Sequence, residues 1–140
     1  MRANERRVFI GFGTAITLVI TAVVLILLFV GGDIHAGMSG DRLRVDGVLG
    51  AGVTVDLDAV TGVELREELA PGKKVFGTDS FKVFSGSFQN EEFGRYQLHI
   101  YRQVHRYIVL RGEQTVVFNL STPEETEECY STLLETLTRE

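Results

Sequence analysis

The sequence predicts a mainly β domain that ends in one α-helix and is preceded by a single transmembrane helix. Three observations lead to this prediction. Residues 8–30 contain no charged, Asn, Gln, Pro or His residue, short alternating segments begin at Asp41, and a helix start is encoded at Thr122. The first feature is typical of a membrane span, the second of half-buried strands and the third of a capped helix. We therefore expect about seven short strands between the two helices.

The run Val8–Val30 is long enough to cross a bilayer. At about 1.5 Å of rise per residue, it extends about 35 Å, whereas the hydrocarbon core is about 30 Å thick. A buried core helix and a cleaved signal peptide are the alternatives. The run is apolar on all sides, and it exceeds the apolar region of about 7–15 residues that signal peptides contain. A retained single-pass anchor is the prediction that fits both properties.

Charges beside the predicted span indicate its orientation. The basic arm, residues 1–7, carries three Arg and one Glu immediately before the apolar run. Positive residues next to a span favour the cytoplasmic side, so we expect an extracytoplasmic C-terminal domain. Arg42 and Arg44 follow the span at a greater distance, which leaves a cytoplasmic domain as the alternative.

The remaining residues suit one folded domain with few options for chemistry. Residues 31–40 are rich in Gly and Ser and predict a flexible linker, which places the domain at residues 41–140. Because the arm contributes a net +2, the formal charge of −5 for the chain becomes −7 without it, which disfavours nucleic acid as a partner. A lone Cys129 excludes an internal disulfide, and the three His residues have no metal-ligand spacing. We predict no metal and no cofactor.

Alternation of apolar and polar residues predicts the strands. The seven segments are residues 43–45, 53–57, 63–65, 81–88, 96–100, 107–110 and 116–120. Residues 68–74, which contain Pro71 and Gly72, predict a loop, and Gly86 predicts a bulge, a bend or close backbone packing. The fifth and sixth segments predict a hairpin with His99 on its outer face, and Gly112-Glu113 predicts the turn into the last strand.

The C-terminal helix has a complete start signal. Thr122 is the predicted N-cap, Pro123 occupies the first helical position, and Glu125 completes a capping box. Apolar residues then recur at intervals of three and four, as expected for a helix that packs one face on a sheet. These residues are Cys129, Tyr130, Leu133, Leu134 and Leu137. Cys129 is expected to be a small buried side chain.

Seven strands followed by one amphipathic helix is the element order of pleckstrin-homology-like (PH-like) domains, and the sequence resembles bacterial members of that superfamily. The resemblance covers about residues 41–137. It lies mainly in VTVDLDAVTGVELREEL from Val53, GSFQNEEFGRYQLHIYRQVHRYIVLR from Gly86 and VFNLSTPEETEECYSTL from Val117. It implies an orthogonal β-sandwich or partly open barrel of antiparallel strands, closed at one end by the helix, in a protein of the bacterial cell membrane.

The resemblance also implies a docking function. Some PH-like domains bind phosphoinositide headgroups through basic residues of an early loop, but the corresponding residues 47–52, GVLGAG, carry no charge. Lys73, Lys74 and Lys82 lie later in the chain, and they are the candidates for a lipid-binding alternative. Ordinary surface charge is the simpler explanation of these lysines.

Aromatic and basic residues along the predicted hairpin are the candidates for a protein-binding surface, because Tyr and Arg are common at interface hot spots. They are Tyr101, Arg102, Arg106, Tyr107 and Arg111. In the simpler alternative, the Tyr side chains pack on the last helix and the Arg side chains are solvated.

The sequence contains no catalytic signature. It has no GxSxG elbow, phosphate-binding loop or HExxH motif, and it indicates no small-molecule substrate. Two classes of function remain open. One is a membrane-anchored module that docks a protein partner, and the other is a structural subunit that oligomerises through its helix or a strand edge.

Overall fold

The structure is a computed structural model that describes residues 3–30 and 32–139, with side chains described for residues 11–26 and 32–139. It divides into two compact units, Met1–Gly32 and Asp33–Glu140. The first unit is helix α1 (Ala3–Val30), in which Thr17 and Thr21 each donate a hydrogen bond to the carbonyl four residues earlier. Among the described residues, no helix combines the length and apolar character needed to cross a membrane. The predicted basic arm, and residues 8–10 and 27–30 of the predicted span, lie outside the described side chains.

The second unit is mainly β and ends in one α-helix, as predicted. Its described residues form nine strands in two sheets. The strands are β1 (His35–Ser39), β2 (Arg42–Asp46), β3 (Gly52–Asp56), β4 (Gly62–Arg66), β5 (Lys73–Asp79), β6 (Val83–Asn90), β7 (Gly94–Tyr101), β8 (Tyr107–Arg111) and β9 (Val116–Phe118), and a short 3-10 helix (Leu57–Ala59) follows β3. The three-stranded sheet has the order β1-β2-β3, and the six-stranded sheet has the order β4-β8-β9-β7-β6-β5. All neighbouring strands are antiparallel except β7 and β9.

Two apolar cores lie on opposite faces of the six-stranded sheet. The first core joins this sheet to the three-stranded sheet and to the last helix, and it includes Val45, Tyr101, Phe118 and Leu133. The second core lies on the other face and consists of Phe88, Tyr96, Leu98, Ile100, Tyr107, Val109 and Val117. Because side chains alternate across a strand, the central strands contribute to both cores in turn.

Helix α2 (Pro123–Thr138) begins as the sequence predicts. The Thr122 hydroxyl accepts a hydrogen bond from the Glu125 N–H at 3.1 Å, and Pro123 is the first helical residue. The Glu125 carboxylate accepts from Ser121 Oγ at 2.6 Å and not from the Thr122 N–H, so the predicted capping box is only half formed. Leu133 is fully buried in the first core, and Cys129 packs against that core. Tyr130 and Leu137 also pack against this core, so the predicted apolar face is confirmed except at Leu134, which is 40% exposed.

Two strands form where the sequence predicts none. Residues 35–39, in the predicted linker, pair with β2 from His35↔Asp46 to Ser39↔Arg42 as β1. β5 begins inside the predicted loop and pairs with β6. Both are edge strands with mostly exposed side chains, so backbone hydrogen bonding rather than an apolar pattern forms them.

The predicted hairpin of β7 and β8 is wrong, because β9 lies between these two strands. β9 runs parallel to β7 and antiparallel to β8. The buried Asn119 side chain fixes this arrangement: it accepts from the Tyr101 N–H at 2.7 Å and donates to the Val104 carbonyl at 2.9 Å. The turn from β8 to β9 is confirmed, although it spans residues 112–115 rather than two residues.

Truncating the buried side chain of α2 should destabilise the domain much more than truncating its neighbour. Leu133→Ala leaves a cavity in the first core and should lower the free energy of unfolding by about 2–5 kcal/mol. Leu134→Ala, at a position that is 40% exposed, should change it by about 1 kcal/mol or less. Chemical denaturation of the full chain in detergent, followed by near-ultraviolet circular dichroism, measures both. Equal effects of the two substitutions would contradict the assigned helix face.

Candidate functional site

The two Tyr residues of the predicted protein-binding set are buried in different cores. Tyr101 is 9% exposed and belongs to the first core, while Tyr107 is 6% exposed and belongs to the second. Burial raises the pKa of both phenols. The Tyr101 hydroxyl accepts a hydrogen bond from the Ile34 N–H at 2.8 Å. Its side chain therefore fixes the segment before β1 and does not project from the surface.

The three Arg residues of that set lie in three different environments. Arg102 is exposed, donates to the Ser80 carbonyl at 2.9 Å and lies 4.6 Å from the centre of the Phe84 ring. Arg106 forms ion pairs with Glu67 and Glu127. Arg111 pairs with Glu64 on β4 at 2.8 Å. The structure therefore does not place the five predicted residues on one exposed surface.

Arg111 belongs to an ionic cluster around Phe93, which we call the Phe93 cluster (Glu64, Arg66, Glu92, Phe93 and Arg111). Arg66 donates two hydrogen bonds of 2.6 Å to the Glu92 carboxylate. The Arg66 and Arg111 guanidinium groups lie 5.3 and 5.2 Å from the centre of the Phe93 ring. The hydrogen bond from Arg111 holds the pKa of Glu64 below its ordinary value, and that from Arg66 does the same for Glu92. The cluster ties the turn between β6 and β7 to β4 and β8, which is a structural role.

A pocket beside Tyr101 combines an exposed aromatic ring with positive charge. Its volume is about 450 Å³, and its lining residues are Asp33, Phe81, Lys82, Tyr101, Gln103, Val104 and Ser121. Phe81 is 74% exposed. Lys82 pairs with Asp33 at 3.1 Å, and its Nζ lies 6.0 Å from the centre of the Tyr101 ring. We call Phe81, Lys82 and Arg102 the Phe81 surface, and Tyr101 forms the buried base of the adjoining pocket.

The three lysines of the lipid-binding alternative do not form one patch. Lys73 and Lys74 begin β5, whereas Lys82 comes just before β6 and near the opposite end of the β5–β6 pair. The length of β5 separates them, which is about 20 Å at 3.3 Å per residue. The three lysines therefore cannot bind one lipid headgroup together.

His99 is fully buried, so its predicted position on an outer face is wrong. The reason is that β7 is an inner strand of a sheet covered on both faces. The His99 Nδ1 lies 2.8 Å from Ser85 Oγ, and Nε2 lies 3.2 Å from Gln97 Oε1. Burial, with a smaller contribution from Arg44, lowers the pKa of His99 to about 4.

The contact between Ser85 and His99 has the residue types of a nucleophile and its base, but it is closed to a substrate. Ser85 is fully buried, and its Oγ accepts from the Val48 N–H at 3.0 Å. A Cβ at Gly47 would clash with both Ser85 Oγ and the His99 ring, so the loop after β2 packs directly on the pair. With the proton on Nε2, the ring donates to Gln97 and Ser85 donates to Nδ1, and every polar atom of the pair is satisfied. Sequence reasoning missed this pair, because Ser85 and His99 lie 14 residues apart and neither belongs to a recognisable catalytic motif.

Three exposed carboxylates lie close together at the end of β3. They belong to Asp41, Asp56 and Asp58, with ligand oxygens within 4.8 Å of one another. Asp56 accepts the Asp58 N–H at 3.0 Å and caps the short 3-10 helix. This hydrogen bond explains the position of Asp56 without a metal ion.

No family model matches the sequence, and neither a curated protein nor a solved structure is significantly similar to the chain.

The buried His99 should make stability depend on pH in a defined window. Its pKa is about 4 in the folded protein, against 6.5 for an ordinary His. As pH falls from 6.5 towards 4, the unfolded chain binds a proton that the folded chain does not bind, so stability falls, by about 3 kcal/mol over the window. Denaturant unfolding of the full chain between pH 7 and pH 4.5 measures this loss. His99→Gln should lose less stability over that range, whereas the exposed control His105→Gln should behave as the parent. Parallel curves for the parent and His99→Gln would show that His99 is not the group responsible.

Proposed function

We propose that this chain is a single-pass, membrane-anchored, non-catalytic module of the bacterial cell membrane that docks a protein partner through the Phe81 surface. The anchor is proposed from Val8–Val30, whose length and lack of charge fit a membrane span. Apolar side chains in the described part of α1 support it, since Phe12, Leu18 and Val19 are 62–70% exposed and need an apolar environment.

A PH-like fold is proposed for the second unit from the order of its elements. Short strands in two sheets are followed by a capped helix, and Leu133 of that helix is buried in the first core. The parallel pairing of β7 with β9 departs from the antiparallel sandwich that the resemblance implies. Element order and the position of the helix are the features that support the proposal.

The single observation that carries the docking function is the exposure of Phe81 beside a pocket with a rigid base. Phe81 is 74% exposed, and the pocket holds about 450 Å³. Tyr101 holds its place at the base of the pocket, because its ring is buried and its hydroxyl accepts a hydrogen bond from the Ile34 N–H. An aromatic anchor next to a pocket, with Arg nearby, is the usual composition of an interface hot spot. Two residues of the protein-binding set predicted from the sequence belong to this proposed site: Arg102 is part of the Phe81 surface, and Tyr101 forms the base of the pocket.

An anchored module of this kind needs only a modest contact energy. A tether confines the domain to the neighbourhood of other membrane proteins and so raises their effective concentration. The formal charge of −7 after the anchor opposes binding to an anionic lipid surface, where each basic residue contributes about 1 kcal/mol. A protein partner is therefore favoured over a lipid headgroup.

Removing the Phe81 surface should release the partner. The double substitution Phe81→Ala and Arg102→Ala should lower copurification of a crosslinked partner from native membranes by about tenfold or more, since hot-spot side chains dominate such contacts. The matched control is Leu49→Ala with Arg42→Ala, an exposed apolar residue and an exposed Arg outside the Phe81 surface. Retention of all partners by the Phe81/Arg102 variant would refute the proposal. Binding of a soluble phosphoinositide headgroup to the detergent-solubilised parent, abolished by Lys73→Glu with Lys74→Glu, would replace it with lipid binding.

The proposed orientation predicts which side of the membrane the domain occupies. Protease added to intact cells after the outer barriers are opened should remove the second unit, because the basic arm favours a cytoplasmic N-terminus. A cytoplasmic marker protein is the control for lysis. Digestion only after lysis would place the domain in the cytoplasm.

A further inference from the structure

β5 forms one edge of the six-stranded sheet and exposes nearly its whole length. It pairs with β6 on one side, and it is the last strand of the sheet on the other. Six of its seven residues are exposed, including Phe76, whose side chain is 79% exposed. The outer edge of such a strand presents backbone N–H and C=O groups that another strand can bind.

A β-bulge at Val75 decides which side chains of β5 share a face. Pairing with β6 shifts between Lys74 and Phe76. Opposing residues of an antiparallel pair lie on the same face, so each residue of β5 can be assigned from its partner on β6. Lys74, Gly77 and Asp79 oppose Phe88, Gly86 and Phe84, on the face of the second core. Lys73, Phe76 and Thr78 lie on the other face.

We propose that a second copy of this chain adds its own β5 to this edge, antiparallel, with the two-fold axis passing between the two Gly77 residues. The register leaves the bulged Val75 without an opposing residue on this edge, as it is on the β6 side. Phe76 then opposes Thr78 of the second copy, and Lys74 opposes Asp79 of the second copy. Each opposed pair lies on one face of the joined sheet, as sheet geometry requires. The two-fold axis repeats every contact, so two ion pairs form.

Charge complementarity selects both this occupant and this register. Within the described part of the chain, neither Lys74 nor Asp79 takes part in an ion pair. Sliding the second strand to the next register that keeps the faces aligned puts Lys74 opposite Gly77 or beyond the end of β5, and both ion pairs are lost. Lysines and bulges on an edge discourage pairing with an arbitrary strand. A second copy of β5 can still pair with this edge, because it carries the same bulge and places its Asp79 opposite Lys74.

Disulfide crosslinking of the full chain in its membrane tests the register. All variants carry Cys129→Ala, which removes the native thiol. Chains with Phe76→Cys and chains with Thr78→Cys, carrying different tags, are produced together and oxidised. Directly opposed residues are about 4.5–5.5 Å apart and diagonal residues about 7–8 Å apart, and a disulfide spans about 4.4–6.8 Å between Cα atoms. The mixed crosslink between positions 76 and 78 should therefore exceed the crosslink between two copies of position 76 by about fivefold or more.

Charge reversal tests the ion pairs in the same assay. Lys74→Asp alone or Asp79→Lys alone places like charges opposite each other and should lower the mixed crosslink by about tenfold, and the two substitutions together should restore it. Arg42→Asp and Glu113→Lys, at exposed positions outside β5, are the matched controls and should leave the yield unchanged. Absence of an excess of the mixed crosslink, or a yield that ignores the charge reversals, would overturn the inference.

This inference is independent of the docking function. Phe81→Ala with Arg102→Ala should leave the crosslink between positions 76 and 78 at the parent level. Loss of the partner with an intact crosslink, or loss of the crosslink with an intact partner, separates the two proposals.

Discussion

Burial of both faces of β7, β9 and β8 is the constraint on which the rest of the domain depends. Along β7, Leu98 and Ile100 enter the second core, while His99 and Tyr101 face the other side of the sheet. In a strand covered on both faces, no side chain reaches solvent. Polar side chains in such a strand must therefore form hydrogen bonds within the protein. The described side chains meet this requirement, since none with a buried polar atom lacks a hydrogen-bond partner.

That constraint explains why the residues most suggestive in sequence are not available at the surface. Tyr101 and Tyr107 are large apolar groups at the ends of central strands, and each is used to fill a core. His99 and Ser85 satisfy each other beneath the loop after β2. The exposed aromatic side chains that could contact another protein therefore lie at the periphery of the six-stranded sheet. Phe81 stands just before β6, and Phe76 stands on the edge strand β5.

Much of this domain could be predicted where a side-chain pattern reports burial. β2 alternates buried Leu43 and Val45 with exposed neighbours, and α2 begins at the Thr122 cap. The edge strands β1 and β5 leave no such pattern, because most of their side chains are exposed, and only backbone pairing identifies them as strands. The edge strands β3 and β4 could be predicted because they keep partly buried side chains. The insertion of β9 between β7 and β8 depends on contacts remote in sequence, chiefly those of Asn119. An Asn before Ser and Pro residues reads locally as a turn, and nothing nearby indicates that its amide is buried.

Amide hydrogen exchange of the full chain, resolved by residue, tests the central constraint most directly. Amides that are hydrogen-bonded in a sheet covered on both faces exchange only through large-scale unfolding. If both faces of these strands are covered, the slowest amides of the domain should lie in residues 97–100, 108–110 and 116–118, and residues 112–115, between β8 and β9, should exchange much faster. Exchange of the three central segments at the rate of that turn would contradict the claim that both faces of these strands are covered.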